Sequence, residues 1–116
     1  DLGLNQEGLK DIFDLLESGK VWMKMSAPQR ISNNPDGQAV TDLARKLIQI
    51  NPDRLVWGSD WPHSGAHPGV PRVKESIEPF HPIDDGHALN RFAGWVQDSQ
   101  MIKKILVDNP AILYQF

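Results

Sequence analysis

The stretch R-L-V-W-G-S-D-W-P-H, Arg54 to His63, holds the residues whose types and spacing best suit chemistry. Leu55, Val56 and Trp57 form a short apolar, β-prone run with the composition of a strand buried on both faces, as in a parallel sheet. Gly58 and Ser59 end that run, a carboxylate follows at Asp60, and Trp61, Pro62 and His63 complete the turn. In α/β sheets, sites lie at the carboxyl ends of strands, where the connecting loops converge. An aspartate there is a candidate general base or metal ligand. The same residue type also caps turns and helix starts, so position alone leaves both readings open.

A second run, V-W-M-K-M at Val21–Met25, reads as another short strand. Ser26 and Arg30 follow directly and so also sit beyond a strand's carboxyl end. Arg30 offers a planar donor fork suited to a carboxylate, although loop arginines are often simply solvated. Lys24, inside the run, must reach water, pair with a carboxylate or face a polar cavity.

The elements that position these residues alternate between two periodicities. From Gln6 to Ser18, Leu9, Ile12, Phe13, Leu15 and Leu16 form a helical stripe; Asn5 is a candidate cap and Gly19 a stop. Ile31–Gly37 is turn chemistry, and a second helix spans Gln38–Ile50 with Val40, Leu43, Ala44, Leu47 and Ile48 on one face. Helix, strand, helix, strand is βαβ logic: the segments 20–25 and 54–58 are expected to be adjacent parallel strands with a right-handed crossover. A long irregular stretch follows His63 and runs to about Asp85. It contains His67, Pro68, Gly69 and His81, with His87 just beyond; no H-x-H or H-x-x-x-H pair on a regular element marks a metal site there. Gly86–Val96 reads as a third helix, Asp98 or Ser99 caps a fourth, and Asn109-Pro110 reads as an N-cap and first-turn pair for the last. Of the four tryptophans, only Trp61, next to Asp60, has a position that favours a site over core filling.

Composition narrows the class. At 116 residues the chain is one domain at most, and with 40% apolar residues it can bury a modest core. Twelve basic against fifteen acidic residues, with no basic run beyond Lys103-Lys104, give no nucleic-acid surface. With no cysteine, disulfides, thiolate metal sites and cysteine nucleophiles are excluded. No apolar run reaches the ~18 residues of a membrane span, and no signal peptide opens the sequence, so a cytoplasmic location is the default expectation.

Three blocks together resemble one family. W-G-S-D-W-P-H, K-M-S-A-P-Q-R-I-S at Lys24–Ser32 and the ending I-L-V-D-N-P-A-I-L-Y resemble the amidohydrolase-2 group of (β/α)-barrel hydrolases and decarboxylases. The run I-D-D-G at Ile83–Gly86 brings the resemblance to the branch of 2-pyrone-4,6-dicarboxylate lactonase and related lactonases. The resemblance maps residues 1–116 onto the C-terminal portion of a (β/α)8 TIM barrel: two parallel strands with flanking helices, incomplete on their own. The family's H-x-H motif on its first strand has no counterpart here, so those histidines are expected upstream. Two strands cannot close a barrel that needs eight. The chain thus reads as a piece completed by a missing N-terminal barrel half or by self-association, and as inactive alone.

In the lactonase branch, the resemblance implies that Asp60 takes a proton from the water that attacks a lactone carbonyl. Arg30 and Ser26 would hold a substrate carboxylate, and His63 would orient the loop or contact substrate. The partner is then a small carboxylated lactone, with no nucleic acid and no membrane. The lactonase branch works without a cofactor, whereas other branches hold zinc or another divalent metal through the strand-end aspartate, here Asp60. Two further readings stand beside this one: a metal-dependent decarboxylase of the same group, and an inactive fragment serving as an assembly module.

Overall fold

A computed structural model describes residues 3–65, 71, 73–75 and 77–116. Asp1, Leu2, His67, Pro68 and Gly69 lie outside the described residues. In chain order the elements are α1 (Leu9–Glu17), β1 (Met23–Met25), α2 (Gln38–Ile50), β2 (Leu55–Trp57), α3 (Asp85–Val96), α4 (Ser99–Lys103) and α5 (Asn109–Tyr114). A π-helical turn, Lys104–Asp108, joins α4 to α5.

β1 and β2 pair in parallel, in the register Met23 to Leu55, Lys24 to Val56 and Met25 to Trp57. The βαβ reading is borne out, but the ladder is shorter than expected. It starts at Met23 because the partner strand is preceded by a 3-10 turn, Pro52–Arg54, whose backbone is not extended and whose Pro52 has no N–H to give. Trp22, expected inside the strand, instead lies under the guanidinium of Arg54, 4.9 Å from ring centroid to Cζ. The pleat sends alternate side chains to opposite faces. Met25 and Leu55 enter the helix-packed core, whereas Lys24 is exposed and reaches solvent. Its stem passes over Gly58, where a Cβ would come within 3.2 Å of Lys24 Cδ.

The core lies on the helix side of this two-stranded sheet. Leu16 of α1, Val40, Ala44 and Leu47 of α2, Met25, Leu55, Phe92 and Trp95 of α3, and Ile105 form one buried cluster. Trp57 packs against it, its ring 6.1 Å from that of Phe92 in a tilted arrangement. Burying each large side chain of this kind stabilises by roughly 1.5–3 kcal/mol. Of the tryptophans, Trp95 and Trp57 thus serve the core, while Trp61 is 76% exposed.

Helix ends show where local chemistry was read correctly and where it was not. Gly19, at φ 70°, follows α1 and donates its N–H to Leu16. Asp98 caps α4 by accepting from Met101 N, and Asp84 caps α3 by accepting from His87 N. Asn5 does not cap α1. It ends a 3-10 turn, Gly3–Asn5, and Gly8 at φ 77° breaks the helical path, so α1 begins at Leu9. Asn109 is likewise not a cap but the first residue of α5. Its side chain, 2% exposed, turns inward and donates through Nδ2 to the carbonyls of Pro52 (2.7 Å) and Leu55 (2.6 Å). The asparagine therefore clips the last helix to the entry of β2. A short aliphatic side chain removes both hydrogen bonds at a buried site, at a cost of about 1–3 kcal/mol. Asn109→Ala is expected to lower stability by that amount, read as a lower denaturant midpoint with an unchanged slope. A midpoint equal to wild type would remove the clip.

Candidate active site

Asp60 and Arg30, read separately from two strand ends, meet. The Arg30 Nε donates to Asp60 Oδ2 at 2.9 Å, and its Nη2 lies 2.9 Å from the same oxygen. That Nη2 also donates to the Ser64 carbonyl at 2.7 Å. The parallel register makes the meeting possible. Met25 and Trp57 are partners, so the residues just past them emerge side by side at the carboxyl ends. Arg30 closes a 3-10 turn, Pro28–Arg30, with its N–H on Ala27 O. Asp60 follows Gly58 and Ser59, whose hydroxyl accepts from Trp61 N at 3.2 Å. Arg30 is half exposed and Asp60 largely covered (50% and 22%), so the pair stands at the mouth of the sheet with the carboxylate inside.

Backbone strain gathers at the same place. Among the described residues, five non-glycine residues have positive φ: Ala27, Asp60, His63, Gln97 and Gln115. Gln97 and Gln115 are ordinary left-handed helix stops, after α3 and α5. The other three lie in the loops after β1 and β2, within six residues of the strand ends. Each costs on the order of 1–3 kcal/mol and persists only where its surroundings over-determine it, a pattern typical of functional sites. The Asp60 turn is closed by His63 N–H donating to Asp60 O (2.8 Å), and it is met by the returning loop, where His81 N donates to His63 O (2.9 Å). Gly65, at φ 150°, lets that loop pass Arg30, since a Cβ there would stand 3.3 Å from Arg30 Nη1.

The His63 ring is 6% exposed and its Nε2 lies 2.9 Å from Asp85 Oδ1. Ser26 is half-buried at the end of β1, lining a small cleft with Trp57, Gly58, Ser59 and Arg91. Sequence reasoning missed Asp85 altogether. The signal was present in I-D-D-G, where a cap needs only one of two acids: Asp84 takes the helix terminus and Asp85 is left for His63. A second missed cluster joins the loop before α2 to α3. Asp36 Oδ1 accepts from Arg91 Nε (2.6 Å) and lies 2.9 Å from His87 Nε2. These groups border an open cavity of about 360 Å³, also lined by Thr41, Arg45 and Asn90.

Among the described residues, no group of three or more His, Cys, Asp or Glu side chains is arranged to hold a metal ion. Asp60 Oδ2 receives the Arg30 guanidinium. The described donor set does not by itself fit a metal centre.

A family model described as Amidohydrolase matches residues 1–116. The chain belongs to the amidohydrolase-2 family. The resemblance read from the strand-end blocks is thereby borne out, and the chain has lactone-hydrolase relatives. A 4-sulfomuconolactone hydrolase of Rhizobium radiobacter is 41% identical over 113 residues, covering 97% of this chain and 34% of that protein. A 2-pyrone-4,6-dicarboxylate hydrolase of Comamonas testosteroni is 34% identical over 107 residues, covering 84% of this chain and 31% of that protein. The chain thus spans about a third of the length of the curated relatives it matches. An apo crystal structure from Agrobacterium tumefaciens shares the fold at TM-score 0.66 and 23% identity, over 97% of this chain and 36% of that one. No helix among the described residues is long and apolar enough to cross a membrane.

The Asp36 cluster gives a pH dependence with a fixed sign. The Arg91 hydrogen bond, then that of His87, holds the Asp36 carboxyl below its ordinary value of 3.8. Its stabilisation is therefore complete above that value and is lost as pH falls through the lowered one. Asp36→Asn is expected to cost no more than about 1 kcal/mol at neutral pH, since Asp36 is itself half exposed and asparagine keeps an oxygen for the largely covered Arg91. Denaturant midpoints of wild type and variant should converge on acidification below the carboxylate range. A gap that stays constant on acidification contradicts this assignment.

Proposed function

We propose that this chain forms the C-terminal part of a (β/α)8 barrel that hydrolyses a carboxylated lactone, with Asp60 activating the water. The observation that carries the reading is the Arg30–Asp60 contact at the carboxyl ends of β1 and β2. This is where a barrel of parallel strands presents its reacting groups. The names of the relatives support this substrate class: a sulfonated muconolactone in one and a pyrone dicarboxylate in the other are ring esters bearing acid groups.

In this reading Asp60 takes a proton from water as the water oxygen adds to the lactone carbonyl. The ring C–O bond then breaks and Asp60 passes the proton to the departing oxygen, giving one ring-opened product with a hydroxyl (or its keto tautomer) and a new carboxyl group, which ionises to solvent. Arg30 has two tasks. Its Nε–Nη2 edge fixes the Asp60 carboxylate, and its remaining Nη1 donors are left for the substrate's acid group. Ser26, at the end of the neighbouring strand, donates a hydroxyl hydrogen bond to the same group. The further strands and the H-x-H histidines of the family complete the carbonyl-binding side of the pocket, and no cofactor is required. Positioning by Arg30 matters because the water must meet the carbonyl in one orientation, and misplacement by about 1 Å can cost ~10²-fold.

The test uses the full natural protein carrying these residues, assayed on a pyrone dicarboxylate, a muconolactone and simple sugar lactones. Asp60→Asn keeps shape and a hydrogen-bonding oxygen but cannot take the proton. It is expected to lower kcat by about 10²–10⁴ with KM little changed. Arg30→Ala removes charge-assisted hydrogen bonds worth on the order of 1.5–3 kcal/mol and should raise KM roughly 10–100-fold, with a smaller loss of kcat. Full activity in Asp60→Asn removes Asp60 as the base. Decarboxylation in place of ring opening, dependent on added zinc, replaces the lactonase reading by the decarboxylase one.

A further inference from the structure

His63 is held at three points, and the third has no role in the chemistry so far described. Its N–H closes the Asp60 turn and its carbonyl accepts from His81 N. Its ring, 6% exposed, reaches across 22 positions of sequence to Asp85 in the first turn of α3. A carboxylate only accepts hydrogen bonds, so the proton in the 2.9 Å contact sits on Nε2. The other ring nitrogen, Nδ1, is buried and has no hydrogen-bond partner among the described residues. A neutral ring carrying its hydrogen on Nε2 leaves no buried N–H unpaired, so the geometry selects that tautomer.

Asp85 has an alternative role as an ordinary acid at a helix start, favoured there by the helix dipole. Asp84 is the cap of α3 and accepts from His87 N at 3.0 Å; Asp85, the first residue of the helix, has its Oδ1 on His63 Nε2. The two residues that bracket the turn, Asp60 at φ 72° and His63 at φ 59°, are both in the left-handed region. A backbone held there needs an external restraint. The His63–Asp85 contact ties this turn by its side chain to a helix that is itself anchored in the core through Phe92 and Trp95.

We infer that Asp85 is a positioning residue for the Asp60 carboxylate, acting through the His63 ring. The inference rests on the reading of Asp60 as the base. Asp85 fixes the ring, the ring fixes the backbone of the turn, and the turn aims Asp60 at Arg30 and at the water. What the ring needs from residue 85 is an acceptor rather than a charge. Asparagine, with its carbonyl oxygen toward Nε2–H, should therefore substitute for it, whereas alanine should not.

The experiment compares wild type, Asp85→Ala and Asp85→Asn in the full natural protein. Asp85→Ala is expected to lower kcat about 10–100-fold with KM within about twofold, the size and kind of loss typical of removing a supporting hydrogen bond. Asp85→Asn is expected to recover kcat to within about threefold of wild type. Two readouts need no substrate. Nitrogen-15 spectra should show His63 as the Nε2–H tautomer in wild type and in Asp85→Asn. The carbon-13 signal of the Asp60 carboxyl should move in Asp85→Ala and return in Asp85→Asn. Wild-type kcat in Asp85→Ala overturns the inference, and so does an Asn variant as impaired as Ala. An Nδ1–H tautomer in wild type overturns it even if Asp85→Ala does not fold. If wild type opens no lactone, the lactonase reading fails, while the tautomer and the Asp60 signal still decide for or against the positioning role.

Discussion

The parallel pairing of two three-residue strands is the constraint on which the rest depends. Each strand is too short to hold much by itself. Their register nevertheless brings two loops, separated by all of α2, out of the sheet side by side. Arg30 leaves one strand end and Asp60 the other, and a single carboxylate oxygen lies 2.9 Å from two of the three guanidinium nitrogens. Slippage of β1 by one residue would turn Met23 and Met25 out of the core and Lys24 into it. Hydrophobic burial thus sets the register, and the register sets the meeting of charges.

Polar side chains from outside the sheet then secure its ends. Asn51 donates to Leu16 O at 3.0 Å and accepts from Asp53 N, tying the end of α1 to the turn before β2. Asn109 holds the same entry from the other side through Pro52 and Leu55. At the exit, the strained backbone of Asp60 and His63 is restrained by Arg30 on one side and by Asp85 on the other. The entry bonds hold the start of β2, and the exit contacts meet at the Asp60 turn.

Much of this was legible in the sequence because periodicity and turn chemistry act locally. The stripe of α2 gave its bounds, Gly19 and Asp98 gave true helix punctuation, and the βαβ order gave a parallel pair. The family was legible from short blocks because the strand-end residues are contiguous. What sequence could not give was distance. Whether Asn109 caps its helix or clips a strand depends on how close Pro52 and Leu55 come, and they lie more than fifty positions away. Arg30 and Asp60 were each chosen for position at a strand end, but their contact follows only from the register. Asp85 was overlooked because an acid in a first helical turn already has a local explanation, and His63 gave no hint of which partner its ring would seek.

The most direct measurement is a crystal structure of the full natural protein with the product of lactone opening bound. The account predicts that the newly formed carboxylate lies within hydrogen-bond reach of Asp60 at the carboxyl ends of β1 and β2. Arg30 should remain on Asp60, and the product's second acid group should lie within reach of Arg30 Nη1 or Ser26. Product bound away from these strand ends, or Asp60 turned from it with Arg30 unpaired, would contradict the account.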